Sequence, residues 1–314
     1  MTTAATDMRP ILIAGPTASG KSGLALRLAE HLGGVVINAD SMQVYGGLRV
    51  LTARPSAADE TRAPHALYGF VEGHDSYSAG RYAVDVAKAL ADARARGLRP
   101  IIVGGTGLYF KTLLDGLSPI PPVAETVRDH WRGAATTMGA AHVYGELQAR
   151  DPEMAARLAP TDTQRIVRAL EVLDETGMSL AEWQRLPPVP VMDAANVVRL
   201  LVTIDRDELR ARINARLAVM FEQGALDEVM QLDAAALPPS HPLLTALGVR
   251  EVRGYLAGLL SREDALEFAQ ADTRRYAKRQ LTWFRRNMIA WHCVSEQEME
   301  ISAADFASFI QSAR

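Results

Sequence analysis

Gly15, Gly20, Lys21 and Ser22 stand at a spacing that suits phosphate binding, within the stretch GPTASGKS at positions 15–22. Glycines at such positions let the backbone turn, so that successive N–H groups and the start of a helix point at one anion. A lysine adds positive charge, and a serine hydroxyl is a ligand that Mg²⁺ accepts. The sequence therefore predicts a phosphate cradle, with Ser22 as the metal ligand, formed by Gly15, Pro16, Thr17, Ala18, Ser19, Gly20, Lys21 and Ser22.

This P-loop alone leaves three reactions open: transfer of a phosphoryl group, hydrolysis of a nucleotide to drive motion, or release of a diphosphate as a leaving group. Motor and switch proteins with a P-loop usually hold Mg²⁺ with an aspartate at the end of a long apolar strand. Here the run RPIIVGG at 99–105 ends in glycines, whereas GVVINAD at 34–40 ends in an acid. The pattern argues against a motor and leaves small-molecule kinases and transferases.

Asp40 and Thr106 both follow apolar runs that are predicted to be parallel strands. Open α/β sheets build their sites at the carboxyl ends of such strands, where a carboxylate can act as a general base. Asp40 can equally cap the turn that follows it. Thr106 is either a donor to a phosphate oxygen or an ordinary turn hydroxyl, and Gln43 is suited to read a base edge.

Strands alternate with helices over the first third of the chain, which predicts a parallel sheet with helices on both faces. Apolar strands are expected at 10–15, 34–40, 99–105 and 196–205, and helices at 21–33 and 78–97. Residues 123–190 show helix signals instead, the clearest in PTDTQRIVRALEVLDETG at 160–177, where Pro160 and Asp162 precede the predicted helix and Gly177 ends it. We therefore predict an α/β P-loop core in two parts, 1–122 and 191–314, interrupted by a helical insertion domain at 123–190, with helices at the end of the chain.

Composition narrows the class further. The formal net charge is −3, there is one cysteine, Cys293, and no apolar run reaches the length of a membrane span. These features predict a cytoplasmic protein without internal disulfides, and the absence of a long heptad pattern favours a monomer without an obligate protein partner. The stretch RRYAKRQLTWFRRN at 274–287 is nevertheless strongly basic. Its apolar stripe predicts a helix with a basic face that carries Gln280 and Trp283 and is suited to RNA.

Several stretches taken together resemble the tRNA dimethylallyltransferases, also called tRNA isopentenyltransferases. They are GPTASGKS, INADSMQVYGGLRVLTARP, IIVGGTGLYFKTLLDGL, TQRIVRALEV and KRQLTWFRRN, in this order over nearly the whole chain. The P-loop is widely shared, whereas ADSMQVY, GGTGLY and RALEV are specific to this family. One departure is Val249 in LGVRE, where the family pattern would place an aromatic residue.

The resemblance implies transfer of a dimethylallyl group from dimethylallyl diphosphate to N6 of the adenosine immediately 3′ of the tRNA anticodon, with Mg²⁺ as cofactor. Asp40 would be the general base and Thr106 a second catalytic residue. Arg212 and Arg216, one helical turn apart, either help to bind the diphosphate or are solvated. By the same resemblance tRNA would be contacted by Asp40, Ser41, Met42, Gln43, Thr106, Arg128, Gln164, Arg165, Ile166, Val167, Arg168, Gly248, Arg250 and Arg279.

Three other functions stay open at this point. A prenyltransferase for free adenine nucleotides would share the cradle and the base but would need no tRNA surface. A P-loop kinase of a small metabolite would use Asp40 to activate a hydroxyl and the insertion as a lid. A nucleotide-gated RNA-binding protein would bind without chemistry.

Overall fold

The computed structural model describes residues 7–239 and 241–295. They form two compact units: one comprises the chain up to Leu114 and from Val191 onward, and the other is Asp115–Pro190. The second unit ends where the insertion was predicted to end and begins at Asp115 rather than at 123.

The first unit contains a six-stranded parallel sheet. The strands are β1 (Ile11–Ala14), β2 (Gly34–Asn38), β3 (His65–Ala66), β4 (Arg99–Gly104), β5 (Val198–Val202) and β6 (His292–Val294), and their order is β3-β2-β4-β1-β5-β6. Every residue of β1, β2 and β4 is buried, as expected for a parallel sheet that is covered on both faces. The predicted P-loop α/β core is confirmed.

The two edge strands, β3 and β6, were not predicted. The expected helices of the second part of the core are followed by a strand that was not expected, because His292–Val294 pairs with β5. Residues 296–314, where the chain was expected to finish with helices, lie outside the described residues. Strands of two or three residues are too short for a hydrophobic period to be recognised. They form because a neighbouring strand offers a free edge for hydrogen bonding, and this edge exists only in the folded structure.

Helices cover both faces of the sheet. Side chains of β1 alternate, so that Ile11 and Ile13 pack with α1 (Lys21–Leu32) on one face, whereas Leu12 faces the other side. That second face is covered by α3 (Ala79–Ala95), α4 (Gly107–Leu114) and the C-terminal part of α13 (Arg262–Asn287). The short helix α2 (Ala57–Arg62) lies between β2 and β3 in the chain.

The other helices of the first unit form a core of their own. They are α10 (Arg206–Glu222), α11 (Ala225–Ala234) and α12 (Val249–Leu256), and they pack with α13. Val44, Leu48 and Leu51, from the segment that follows β2, are buried in this core. The segment that begins with Asp40 is therefore held from both sides, by the sheet and by the helices.

The second unit is helical. It contains α5 (Glu125–Thr137), α6 (Ala140–Arg150), α7 (Pro152–Ala156), α8 (Thr163–Thr176) and α9 (Leu180–Trp183) around a core that includes Trp131 and Leu147. Asp162 caps the start of α8 and Gly177 ends it with a φ of 68°. Both helix ends match the predicted ones, because a short polar side chain satisfies the first N–H groups and glycine adopts left-handed backbone without strain.

Candidate active site

The P-loop connects β1 to α1, as its sequence predicts. Ala18 and Gly20 adopt left-handed backbone, with φ of 64° and 85°, and no side chain caps the first turn of α1. The N–H groups at the start of this helix are therefore available to an anion. The Ser19 hydroxyl is buried without a hydrogen-bond partner in the described part of the chain.

Two cationic side chains belong to the cradle. Lys21 Nζ donates to the Pro16 carbonyl at 3.1 Å, and burial lowers the pKa of Lys21 to about 8 despite the opposing charge of Asp40. Arg216, on α10, donates to Thr17 Oγ1 at 2.5 Å, and burial lowers its pKa as well. Its Nε atom is buried and has no partner among the described residues. Partly buried cations with unused donors at a helix N-terminus constitute a site for an anion of more than one charge.

Arg212 behaves differently from Arg216, although the two stand one turn apart on α10. Arg212 pairs with Glu208 at 2.6 Å on the same helix. Of the two predicted diphosphate ligands, the structure brings Arg216 to the cradle.

Asp40 is held by the strand that precedes it. Its N–H donates to Asn38 Oδ1 at 2.8 Å, and the buried Asn38 side chain donates in turn to the carbonyls of Asp40 and Leu67, at 2.9 and 3.0 Å. Asp40 Oδ1 accepts the Met42 N–H at 2.9 Å, whereas Oδ2 has no hydrogen-bond partner in the described ranges. One oxygen thus caps the turn while the other is able to take a proton, so that both predicted roles fit the same side chain.

Thr106 ties the end of β4 to the segment after β2. Its Oγ1 accepts the Ser41 N–H at 2.9 Å and donates to Ser41 Oγ at 3.2 Å, and its own N–H donates to the Ala39 carbonyl. Gly104 permits this approach, since a Cβ there would lie 2.0 Å from the Ala39 carbonyl oxygen. The Thr106 hydroxyl therefore lies beside the residue that follows Asp40. Its predicted donation to a phosphate oxygen stays a prediction.

Three tyrosines lie within the electrostatic reach of Asp40, and the sequence did not indicate this. Burial raises the pKa of Tyr68, Tyr109 and Tyr276, and the Asp40 carboxylate raises each further. The three phenols consequently stay neutral at physiological pH, and their rings add apolar surface near the carboxylate.

Gln280 overturns one sequence-based expectation. It was placed on the basic face of the C-terminal helix, but it is buried, with only 6% of its surface exposed. Its Oε1 accepts the Thr17 N–H, and its Nε2 donates to the Gly105 carbonyl, both at 2.9 Å. The sequence held a usable sign of this, because Gln280 stands four residues before the buried Phe284, in the same helical stripe.

The remaining predicted residues of the first unit lie on the segment after β2, on α12 and on α13. Gln43 Nε2 donates to the carbonyls of Thr52 and Ala53, at 2.8 and 3.2 Å, so only its oxygen is left to read a base. Gly248 is the N-cap residue of α12 and has a φ of 90°. Arg250 is mostly exposed and pairs with Glu251 and Asp272, and Arg279 lies over the Tyr276 ring at 5.7 Å. Val249, at the departure from the family pattern, is fully buried.

The second unit carries the other predicted tRNA contacts. Arg128 is on α5, and Gln164 and Arg165 are exposed in the first turn of α8. Arg168 is half-exposed and pairs with the buried Glu171 at 3.3 Å, and the same carboxylate lies 3.5 Å from Arg132.

Two predicted contacts need correction. The side chains of Ile166 and Val167 are buried, 0% and 8% exposed, and pack in the helical core. They lie on the inner stripe of α8 and orient Arg165 and Arg168; their side chains are not available to RNA in this structure.

The side chains at the P-loop are suited to an Mg²⁺ ion that is bound partly by oxygens of the substrate. No group of three or more His, Cys, Asp or Glu side chains that could hold a metal occurs within residues 7–239 and 241–295. Ser22 is exposed in the first turn of α1 and its hydroxyl has no hydrogen-bond partner in these ranges. Mg²⁺ commonly keeps several waters and binds through one or two protein oxygens plus phosphate oxygens, and Ser22 fits that use. No described helix combines the length and apolar character needed to cross a membrane.

Comparisons with known proteins identify relatives over nearly the whole chain. A family model described as IPP transferase matches residues 43–287, and one described as isopentenyl transferase matches residues 8–65. The tRNA dimethylallyltransferase of Azorhizobium caulinodans is 53% identical over 281 residues, which cover 90% of this chain and 90% of that protein. The protein of the same name from Parvibaculum lavamentivorans is 47% identical over 302 residues and 96% of both chains.

Solved structures agree with these matches. The crystal structure of a tRNA isopentenylpyrophosphate transferase from Bacillus halodurans superposes with a TM-score of 0.68 at 30% identity, covering 98% of this chain and 96% of that one. A eukaryotic dimethylallyltransferase, described as acting on tRNA, gives a TM-score of 0.80 at 26% identity, covering 97% of this chain and 80% of that one.

Proposed function

Because the chain belongs to the IPP transferase family, we propose that it transfers the dimethylallyl group of dimethylallyl diphosphate to N6 of the adenosine immediately 3′ of the tRNA anticodon. The relatives' names supply the acceptor, tRNA, and the transferred dimethylallyl group. The observation that carries the proposal is the juxtaposition of an anion cradle with Asp40, whose Oδ2 has no hydrogen-bond partner in the described ranges.

The adenine N6 lone pair is delocalised into the ring, so this amine is a poor nucleophile. The new bond joins N6 to C1 of the dimethylallyl group, while the bond between C1 and the diphosphate oxygen breaks and its electron pair leaves with the diphosphate. Asp40 Oδ2 takes the proton that N6 loses. This proton transfer removes positive charge from N6 while N6 forms its bond to C1.

Negative charge grows on the leaving oxygen, and the cradle meets it with preorganised donors. These are the N–H groups at the start of α1, Lys21 and Arg216. When bound, Mg²⁺ neutralises part of the diphosphate charge, and the Ser22 hydroxyl is the protein ligand that we assign to it. The Thr106 hydroxyl is suited to contact the same phosphate oxygens.

An adenine in an anticodon loop must leave its stack to reach the half-buried Asp40 carboxylate, which costs a few kcal/mol. We assign the compensating contacts to Ser41, Met42 and Gln43 beside Asp40, to Arg250 and Arg279, and to the exposed side chains of the second unit. The helical insertion therefore acts as the part that recognises the anticodon loop. The cytoplasm as the place of action and a monomeric state belong to the same proposal.

A transfer assay tests this function. Purified protein with Mg²⁺ and labelled dimethylallyl diphosphate receives either an unmodified anticodon stem-loop or AMP, and Asp40→Asn, of equal shape, is run beside wild type. Label on the stem-loop alone, lost in the variant, supports the proposal. Label on AMP would make the protein a free-nucleotide prenyltransferase. ATP consumption without label would indicate a kinase, and binding of RNA without any product would indicate a binding protein.

A further inference from the structure

The side-chain amide of Gln280 joins two segments that the proposed reaction uses. Its oxygen accepts the N–H of Thr17 in the P-loop, and its nitrogen donates to the carbonyl of Gly105 in the turn after β4. Both distances are 2.9 Å, and the side chain is almost wholly buried. Each half of the amide has the one kind of partner it can use, so the orientation of the amide is fixed.

The turn after β4 is shaped to receive this side chain. A Cβ on Gly105 would lie 2.3 Å from Gln280 Nε2, and a Cβ on Gly107 would lie 2.3 Å from the ring of Trp283. A side chain at either position would therefore displace the Gln280 amide or the Trp283 ring. In the GGTG turn, glycine is needed at positions 105 and 107 because both residues contact side chains of α13. Glycine is needed at position 104 because the backbone of Ala39 lies close to it.

The P-loop and the turn after β4 are each connected to groups that the proposed reaction uses. Thr17 also accepts a hydrogen bond from Arg216 through its hydroxyl, so the diphosphate side is linked to α10 and α13 at one residue. Gly105 precedes Thr106, whose hydroxyl holds the N–H of Ser41, the residue after Asp40. Gln280 is thus the bridge between the leaving-group side and the acceptor side of the site.

We propose that Gln280 is a positioning residue that fixes the spacing between the diphosphate cradle and the Asp40–Thr106 segment. This inference rests on the proposed function. Displacement at C1 requires the amine, the carbon and the leaving oxygen to be aligned, and a misplacement of about 1 Å in such a step can cost 10²-fold. Gln280 touches neither substrate in this role; it acts through Thr17 and Gly105.

Gln280→Met tests the role, because it keeps the length of the side chain and removes both hydrogen bonds. We expect the single-turnover transfer rate at saturating substrates to fall about 10- to 100-fold. The affinity for Mg²⁺ with inorganic diphosphate and the affinity for the anticodon stem-loop should each change less than about threefold, since the charges that bind them are untouched. A residue that merely stabilised the fold would lower the melting temperature and leave the rate of the folded fraction unchanged.

The matched control is Gln270→Met on the same helix, where the side-chain nitrogen donates to the Asn214 carbonyl. It removes a hydrogen bond of α13 away from the P-loop, and its transfer rate should equal that of wild type. Gly105→Ala perturbs the same bridge from the opposite side by displacing the Gln280 amide. If both variants act through one bridge, the double variant should be little slower than the slower single one.

Gln280→Glu adds a pH signature and carries the test should the methionine variant not fold. A protonated carboxyl can accept from Thr17 and donate to Gly105, as the amide does, whereas a carboxylate repels the Gly105 carbonyl. Burial raises the pKa of such a carboxyl, so the rate of the variant relative to wild type should rise as the pH is lowered from 8 to 6.

The inference is overturned if wild type transfers the group and Gln280→Met transfers it equally fast, if Gln270→Met is slowed as much, or if the relative rate of Gln280→Glu does not depend on pH. A wild-type protein that transfers nothing to the stem-loop would instead refute the proposed function, and binding of inorganic diphosphate would show that its cradle is intact.

Discussion

Replacing Arg216 should separate binding from stability. Its guanidinium donates to Thr17 Oγ1, its Nε has no partner in the described structure, and burial lowers its pKa. Holding this cation away from water is therefore unfavourable for the free energy of the folded protein, and a bound anion would offset that unfavourable term. We expect Arg216→Met to weaken the binding of Mg²⁺ with inorganic diphosphate without destabilising the free protein.

The magnitude follows from the kind of contact. A hydrogen bond to a charged group contributes about 1.5–3 kcal/mol, which corresponds to an affinity loss of about 10- to 150-fold. Replacing a partly buried charge that forms no ion pair among the described residues by an apolar side chain of similar volume is often neutral or stabilising. The melting temperature of the free variant should hence equal or exceed that of wild type, while the stabilisation by added diphosphate becomes smaller.

Titration calorimetry with diphosphate measures the affinity, and thermal unfolding with and without diphosphate measures the stability. Arg210→Met is the control, since Arg210 is exposed on the same helix, and its affinity should stay within about twofold of wild type. Arg212→Met should lose less than Arg216→Met because Arg212 already pairs with Glu208. The reasoning is refuted if Arg216→Met binds diphosphate as tightly as wild type, or if its free form melts earlier.

Three further outcomes are expected. The affinity for diphosphate should fall as the pH rises through about 8, because burial lowers the pKa of Lys21 to about 8 and the anion binds the charged form of Lys21. Calorimetry in buffers of different ionisation heat should show that binding takes up protons near this pH. Lys21→Arg should abolish this proton uptake, since arginine stays charged. Gly104→Ala should destabilise the fold by about 1–3 kcal/mol in urea unfolding, because its Cβ meets backbone. Gly133→Ala, in a helix with open space around it, should stabilise the fold by about 0.5–1 kcal/mol, and equal effects of the two substitutions would contradict the packing argument. Arg168→Gln should weaken binding of the anticodon stem-loop and reduce the slope of log affinity against log salt by about 1, and Arg185→Gln, on the same unit, should leave that slope unchanged.

Much of the site was predictable because its causes are local. The P-loop is one short segment whose glycines and lysine act within a single turn, so its spacing in the sequence already specifies its geometry. Asp40 was identified by the buried strand before it, and its Oδ1 bonds only two residues away. The ends of α8 were correct for the same reason, since Asp162 and Gly177 act on the adjacent turn.

Other features required contacts between distant parts of the chain. The sequence offered Arg212 and Arg216 as equal candidates, and only the packing of α10 brought Arg216 to Thr17, 199 residues away. Periodicity placed Gln280 on an exposed face because glutamine is polar, whereas the structure buries it against Thr17 at a separation of 263 residues. A polar residue in an apolar stripe can be satisfied only by a partner that the stripe itself does not reveal.

By itself, the sequence determined the α/β class, the phosphate cradle, the base candidate and the family, because each depends on local backbone geometry or on motifs read in order. The tertiary structure alone decided which cations reach the cradle, which glutamine joins it to the GGTG turn and which tyrosines lie within the electrostatic reach of Asp40. It also decided that Ile166 and Val167 turn inward and that short edge strands complete the sheet. Burial and hydrogen-bond satisfaction are properties of the packed chain, and a sequence period fixes which face a residue lies on but not what that face meets.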